Sequence, residues 1–165
     1  ELGLISKYDE LTGLLNLRGF TEQIKNFCSK SEHQRAYIIC ADLDHLKEIN
    51  DTWGHPAGNF ALRSVANIFN GCLRSQDVVA RTGGDEFLIL LNCQEKNFQD
   101  IFRKRVRDAC AAFNAESGKP FLVEVSLGIT EFKPSPETDI PAIIEHADKD
   151  LYESKKLRKN SVRRP

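Results

Sequence analysis

The chain has 165 residues, 41% of them hydrophobic and 28% charged, as expected for a single globular domain that buries a core. Its 23 basic and 24 acidic side chains give a net charge of −1, which excludes a general electrostatic attraction to nucleic acid or to a membrane surface. No apolar run is long enough to cross a bilayer and no signal peptide opens the chain, so we predict no membrane segment here.

The first half of the chain predicts a buried strand between helices. Residues 1–8 suggest the end of a linker helix that enters from an upstream domain. Apolar residues at helical spacing predict a helix over 18–30, and the apolar run at 36–41 predicts a buried strand. A short helix follows and is broken by the Gly- and Pro-containing turn at 54–58, after which a long amphipathic helix is predicted over 60–73.

The second half of the chain predicts a β-hairpin, a helix, a strand and a last helix, over 78–91, 97–115, 121–130 and 139–156. The hairpin turn is placed at Gly83-Gly84, because glycine tolerates a positive φ and lets a ligand approach the backbone. The order β-α-α-β-β-α-β-α, with a hairpin in its middle, predicts an α/β (α+β) fold in which helices cover a mixed sheet.

Cysteine and methionine usage bears on the setting of the chain. The five cysteines have no C-x-x-C spacing and leave an odd one out. This pattern predicts reduced, mostly buried thiols and a cytoplasmic location, not disulfides or a zinc site. Because the chain contains no methionine, we interpret it as part of a longer protein and expect an upstream sensory or partner domain.

Acidic side chains gather at two places. Asp42 and Asp44 follow the predicted buried strand, and Asp85 and Glu86 follow the Gly-Gly turn. Taken singly, these groups could be a strand-end turn or helix cap and a solvated hairpin tip; the sequence does not decide whether Asp44 is a ligand or a cap. If the first strand lies beside the hairpin, the two groups converge, and carboxylates without His or Cys suit Mg²⁺. Together they favour metal-assisted phosphate chemistry.

Longer motifs extend this pattern, and on them the chain resembles the GGDEF domain family, the diguanylate cyclases, from residue 9 to residue 160. They are D-E-L-T-G-L-L-N at 9–16, D-L-D-H-L-K-E-I-N-D-x-x-G-H-x-x-G at 42–58, R-T-G-G-D-E-F at 81–87, V-S-L-G-I at 125–129 and A-D-x-x-L-Y-x-x-K at 147–155. The resemblance implies a palm-like, mainly antiparallel sheet with the G-G-D-E-F hairpin at the active site. It leaves residues 161–165 as a tail.

The resemblance also implies an activity. Members join two GTP molecules into cyclic di-GMP with release of pyrophosphate, use Mg²⁺ or Mn²⁺, and act as a homodimer in which each protomer holds one GTP. Asp42, the Leu43 carbonyl and Asp85 would bind the metal, with Glu86 close by, and Asp85 would help deprotonate the attacking ribose hydroxyl. Lys47 would lie by the phosphates and stabilise charge in the transition state.

The substrate-binding residues that the resemblance implies begin after the first strand. His45 and Leu46 would offer backbone N–H groups to the triphosphate at a helix start. Asn50 has both a donor and an acceptor for a guanine edge. His55 would lie near the base, with structural packing as an equal alternative. Asn59 stands where members usually carry Asp, and losing that charged acceptor predicts relaxed guanine selectivity or weaker turnover.

The last helix departs from the family pattern K-x-x-G-R-N. Lys155 matches the lysine, whereas Arg158 replaces the glycine and Lys159 replaces the arginine. The resemblance implies that Lys155 and Lys159 clamp the triphosphate, although lysine lacks the bidentate fork of arginine. The alternative is a solvated basic tail.

A second nucleotide site is implied by Arg74-Ser75-Gln76-Asp77, which matches the R-x-x-D product-inhibition motif of the family. Arg74 and Asp77 would hold guanines of cyclic di-GMP, with Arg105 as our choice for a second arginine; a helix-end ion pair is the alternative. Two other functions stay open beside the cyclase, namely a binding module for GTP or cyclic di-GMP that has lost turnover, and a dimerising scaffold that no feature favours.

Overall fold

A computed structural model describes residues 5–30 and 34–162, with side chains described as far as residue 158. Within these ranges the elements follow in the order α1 (Leu17–Ser29), β1 (Ala36–Leu43), α2 (Leu46–Trp53), α3 (His55–Cys72), β2 (Val78–Gly83), β3 (Glu86–Leu91), α4 (Gln99–Ser117), β4 (Val125–Phe132) and α5 (Ile140–Val162).

The four strands form one antiparallel sheet in the order β2-β3-β1-β4. β1 lies at its centre and is buried along nearly its whole length, as a strand covered on both faces must be. At the end of β1, Asp42 faces Glu86 of β3 on one side and Ser126 of β4 on the other. The predicted fold class is confirmed, and the one parallel pairing in the described residues is the isolated bridge between Leu15 and Ala80.

Side chains of β1 alternate between two apolar layers, because neighbouring residues of a strand point to opposite faces. Tyr37 and Ile39 pack with α2, α3 and α4 on one face, and Ile38 packs with α1 and α5 on the other. α5 can approach β4 closely because residue 128 is glycine: a Cβ there would lie 2.1 Å from the carbonyl oxygen of Ala147. The sheet therefore carries a helical layer on each face.

Three predicted boundaries were wrong. α3 begins at His55, not at residue 60, because the proline of the 54–58 turn occupies the first helical turn, where its missing N–H costs nothing. β4 begins at Val125, not at residue 121, because the side chain of Asn114 bonds both backbone groups of Val123 and draws residues 121–124 away from the sheet. α5 continues to Val162, inside the predicted tail.

The amino-terminal helix is not observed. Residues 1–4 lie outside the described residues, and residues 5–8 are not helical because Tyr8 pairs with Leu15 in an isolated bridge. All five cysteines are free and buried, as predicted for thiols. No helix in the described ranges has the length and apolar character that a bilayer crossing requires.

Candidate active site

Three carboxylates converge where β1 ends beside the β2–β3 turn. Asp42, Asp85 and Glu86 each offer an oxygen, and these oxygens lie within 4.8 Å of one another. The register of the sheet causes this convergence, since Asp42 pairs with Glu86 and the Leu43 N–H donates to the Asp85 carbonyl at 2.9 Å. The structure thus brings together the two acidic groups that the sequence separates.

The β2–β3 turn is distorted, which explains how two consecutive acidic residues reach one site. The register shifts between Arg81 and Gly83, and Gly83 and Gly84 have φ values of 156° and 48°. Arg81 fixes the turn, because its guanidinium donates to the Gly84 carbonyl at 2.8 and 3.0 Å and to Asp9 at 2.9 Å. This support was not predicted from the sequence, although Arg81 and Asp9 both lie inside the quoted motifs.

The site is short of positive charge. Burial raises the pKa of Asp42, and the charges of Asp85 and Asp148 raise it further, against the lowering effect of Lys155. Burial likewise raises the pKa of Glu86, together with the neighbouring carboxylates. Carboxylates in such a setting need a cation. Oxygen donors without nitrogen or sulfur fit a hard divalent cation, so these three residues could hold one.

Lys155 enters the site from α5 and forms an ion pair with Asp42. Burial acts to lower the pKa of this lysine, but the hydrogen bond and charge of Asp42 outweigh it and the pKa is raised. The side chain of Lys159 lies outside the described residues. Of the two predicted clamp residues, Lys155 is therefore beside the acidic centre.

Asp44 contacts residues of β4 and α5 and not the three clustered carboxylates. One of its oxygens accepts from the Ser126 hydroxyl at 2.7 Å, and the other accepts from Arg158 at 3.1 Å. Its backbone N–H donates to the Glu124 carbonyl at 2.8 Å. Asp44 thus ties β1 to β4 and α5 and stays outside the carboxylate cluster. This arrangement was not predicted, because Arg158 lies 114 residues from Asp44 in the chain.

The helix pair α2–α3 contains an unpartnered acceptor. Asn50 Oδ1 is buried and has no hydrogen-bond partner within the described part of the chain. Gly58 of α3 makes the surrounding space possible, because a Cβ at this position would lie 1.8 Å from that oxygen. A buried acceptor without a partner calls for a donor from outside the chain. Asn59 follows Gly58 and is exposed.

The remaining predicted substrate residues lie around the starts of these two helices. His45 has a left-handed φ of 61° and caps α2, which begins at Leu46, so the free N–H groups of this helix lie directly after β1. Lys47 is exposed in the first turn of α2, and His55 is exposed at the start of α3.

The R-x-x-D residues lie in a separate pocket. Arg74, Asp77 and Arg105 line it together with Phe98. Asp77 is fixed by the N–H groups of Arg74 and Asn92, each at 2.9 Å. The Arg105 guanidinium lies 5.5 Å from the centre of the Phe98 ring. The structure therefore brings the three predicted residues of this site together.

Known proteins resemble the chain in sequence and in structure. The family model described as "Diguanylate cyclase, GGDEF domain" matches residues 6–161. Diguanylate cyclase A of Treponema denticola is 37% identical over 126 residues, which are 76% of this chain. The match covers 34% of that relative, so the chain spans about a third of its length.

Two solved structures are similar over most of the chain. Diguanylate cyclase SiaD of Pseudomonas aeruginosa, in complex with its activator SiaC, has a TM-score of 0.80 and 31% identity over 92% of this chain and 58% of its own. The GGDEF domain of DgcB from Caulobacter crescentus, in complex with c-di-GMP, has a TM-score of 0.77 and 25% identity, with 94% of both chains covered.

Proposed function

Because the chain belongs to the diguanylate cyclase GGDEF domain family, we propose that it condenses two GTP molecules into cyclic di-GMP and pyrophosphate, with Mg²⁺ or Mn²⁺ as cofactor. The observation that carries this proposal is the convergence of Asp42, Asp85 and Glu86 at the end of β1. Such a site suits phosphoryl transfer, for which positioning and charge stabilisation supply most of the catalysis.

A divalent cation held by Asp42, Asp85, Glu86 and the Leu43 carbonyl would supply charge neutralisation at the phosphates and activate the attacking hydroxyl. Asp85 would accept the proton of that hydroxyl, as the resemblance to the family implies. Lys47 would stabilise the charge that develops on the phosphates.

The nucleotide would extend from the acidic centre across α2. The N–H groups of His45 and Leu46 begin a helix directly after β1, which is where phosphates bind readily. Asn50 Oδ1 is the buried acceptor that a guanine N–H group would satisfy. One such site holds one GTP, so ring closure would require a second protomer facing it in a homodimer.

The proposal is tested by incubating the chain, at high concentration or fused to a dimerising coiled coil, with GTP and Mg²⁺ and identifying the products by mass. We expect cyclic di-GMP and pyrophosphate. Asp108→Asn is the matched control for variants of the three site carboxylates. It removes an exposed carboxylate from α4, far from β1 in the sequence. Absence of cyclic di-GMP from the dimerised protein would remove the cyclase and leave the binding module.

Asn59 favours the two alternatives to this function, namely a catalytically weak module that binds GTP or cyclic di-GMP and a cyclic dinucleotide synthase of relaxed specificity. Asn59 gives the base one acceptor where an aspartate would give two charged ones, and losing a charged hydrogen bond costs about 1.5–3 kcal/mol. We predict that Asn59→Asp raises the preference for GTP over ATP by roughly tenfold or more. Competition of the two nucleotides for binding measures this, and an unchanged preference would show that Asn59 does not select the base.

The R-x-x-D pocket is proposed as a product-inhibition site. Arg74 and Arg105 would bind and stack on guanines of cyclic di-GMP, while Asp77 holds the loop in place. We predict that Arg74→Ala abolishes binding of cyclic di-GMP in calorimetry, whereas Arg63→Ala, on the exposed side of α3, does not. Equal binding by Arg74→Ala and the unaltered chain would remove this site.

A further inference from the structure

A cavity of about 560 Å³ opens at the outer edge of β4, between α4 and α5. It shares no lining residue with the carboxylate cluster or with the R-x-x-D pocket. Small-molecule sites in proteins have volumes of about 300–1,000 Å³. The cavity is therefore large enough for a ligand of nucleotide size, and neither the proposed reaction nor the proposed inhibition uses it.

The cavity lies along the edge of β4 between two side-chain contacts. On one side, Asn114 bonds the backbone of Val123 at 2.8 and 2.9 Å, and on the other, Arg103 donates to the Leu127 carbonyl at 2.7 Å. Val125 lies between Val123 and Leu127. Because the backbone groups of an edge strand point alternately toward and away from the neighbouring strand, those of Val125 point away from β1, as those of Leu127 do. The cavity thus faces a backbone N–H that other strands do not use.

Three guanidinium groups line the cavity. Arg103 and Arg107 come from α4 and Arg158 from α5, whereas Glu124 is the one carboxylate among the described lining residues. Arg103 is held in place by Asp150 at 2.9 Å. Apolar groups of α4 complete the wall, namely Val106, Cys110 and Ala111. Guanidinium groups beside an apolar wall suit an anion that carries an apolar body.

Arg158 connects this cavity to the carboxylate site. It donates to Ser126 at 3.0 Å and to Asp44 at 3.1 Å, and it lies 3.5 Å from Glu124. Asp44 follows Asp42 by two residues on the same strand end. A ligand that competes for the Arg158 guanidinium would therefore change the contacts of Asp44, which tie α5 to β1.

We propose that this cavity binds a small organic phosphate, with its phosphate group among Arg103, Arg107 and Arg158 and its apolar body against Val106 and Ala111. Guanidinium–phosphate pairs are charge-assisted and often bidentate. The proposal does not depend on the cyclase reaction, because it concerns binding alone.

The test uses phenyl phosphate as the probe and follows the amide signals of the ¹⁵N-labelled chain. We expect saturable shifts at Val125 and Leu127, and none with phenol, which lacks the charge. Ala111→Trp fills the cavity without changing charge, and Arg107→Glu reverses a lining charge on an exposed position. Each should weaken binding by at least about tenfold, because Arg107→Glu removes charged hydrogen bonds and Ala111→Trp occupies the space of the probe.

Two further variants sharpen the test. Arg63→Glu makes the same charge change on α3, outside the cavity, and should leave binding unchanged. Arg158→Gly removes a guanidinium that lines the cavity and should weaken binding of the probe as Arg107→Glu does. The proposal is overturned if shifts fail to saturate by about 10 mM probe, if they occur at Leu46 and Asn50 instead, or if Ala111→Trp, still folded by its unfolding curve, binds as well as the unaltered chain.

Discussion

The two ends of β1 differ in whether the chain itself supplies partners for their polar and charged groups. At the start of the strand, Arg35 pairs with Glu131, and Gln94 accepts from the Arg35 N–H at 3.0 Å. The hydroxyl of Tyr37 donates to the Glu95 carbonyl and accepts from the N–H of residue 98. Every polar group named here has a partner inside the chain, so this end of the strand is complete without a ligand.

At the other end of β1, three carboxylates share one lysine. Burial and mutual repulsion raise the pKa values of Asp42 and Glu86, and Lys155 meets only Asp42 directly. Both ends belong to the same sheet and have the same neighbouring strands. The difference teaches that strand pairing positions polar groups equally well for stability and for chemistry. What separates the two uses is whether the chain itself completes the hydrogen bonds and charges.

The largest expected effect is at the incomplete end. Asp85→Asn removes the charge that would bind the cation and accept the proton, and we expect cyclic di-GMP formation to fall by about 10³-fold or more, equivalent to about 4 kcal/mol. The fold should persist, because within the described residues the Asp85 carboxylate accepts no hydrogen bond, and its backbone carbonyl still accepts from the Leu43 N–H. Product formation measured by mass, beside the Asp108→Asn control, checks this. Unreduced activity would show that the acidic end of β1 does not carry the chemistry.

The second effect is at the complete end and changes stability alone. Tyr37→Phe leaves the Glu95 carbonyl and the N–H of residue 98 without their partner, and Tyr37 is fully buried. We expect the free energy of unfolding to fall by about 1–3 kcal/mol. Urea unfolding measures the loss, and nucleotide binding should stay unchanged. A loss of nucleotide binding without a loss of stability would show that the start of β1 serves binding and not stability.

Sequence patterns predicted most of the fold because its determinants are local. Helical spacing located the helices, the apolar run at 36–41 located β1, and Gly83-Gly84 located the hairpin. The convergence of Asp42 with Asp85 was also accessible, since it needs only that β1 lies beside the hairpin. Where a side chain overrides the local pattern, prediction failed: Asn114 removes residues 121–124 from the sheet.

Long-range contacts of α5 could not be predicted. The pairing of Lys155 with Asp42 and of Arg158 with Asp44 depends on how α5 crosses β4, and Gly128 sets that distance. The same holds for the unpartnered Asn50 oxygen, whose surroundings are made by Gly58 of another helix. In each case the surroundings of the side chain depend on how separate elements pack, and a sequence motif identifies the residue but not its contacts.

The smallest expected effect is a pH dependence of stability at the acidic end. Without divalent cations, the folded chain holds protons on Asp42 and Glu86 more tightly than the unfolded chain, because their pKa values are raised from 3.8 and 4.5. As the pH rises through the ordinary values and then through the raised ones, this contribution to stability is lost. Glu86→Gln removes one of the charges, so its stability relative to the unaltered chain should increase as the pH rises.

Thermal unfolding in a chelating buffer, from about pH 4 to about pH 7, measures that difference. We expect it to stay below about 1 kcal/mol, because Glu86 is exposed and solvent screens its charge. Excess Mg²⁺ provides the control: a cation that binds the ionised carboxylates stabilises the unaltered chain, so the advantage of Glu86→Gln should vanish or reverse. A difference that does not depend on pH, or that Mg²⁺ leaves unchanged, would show that the carboxylates at this end of β1 are not short of a cation.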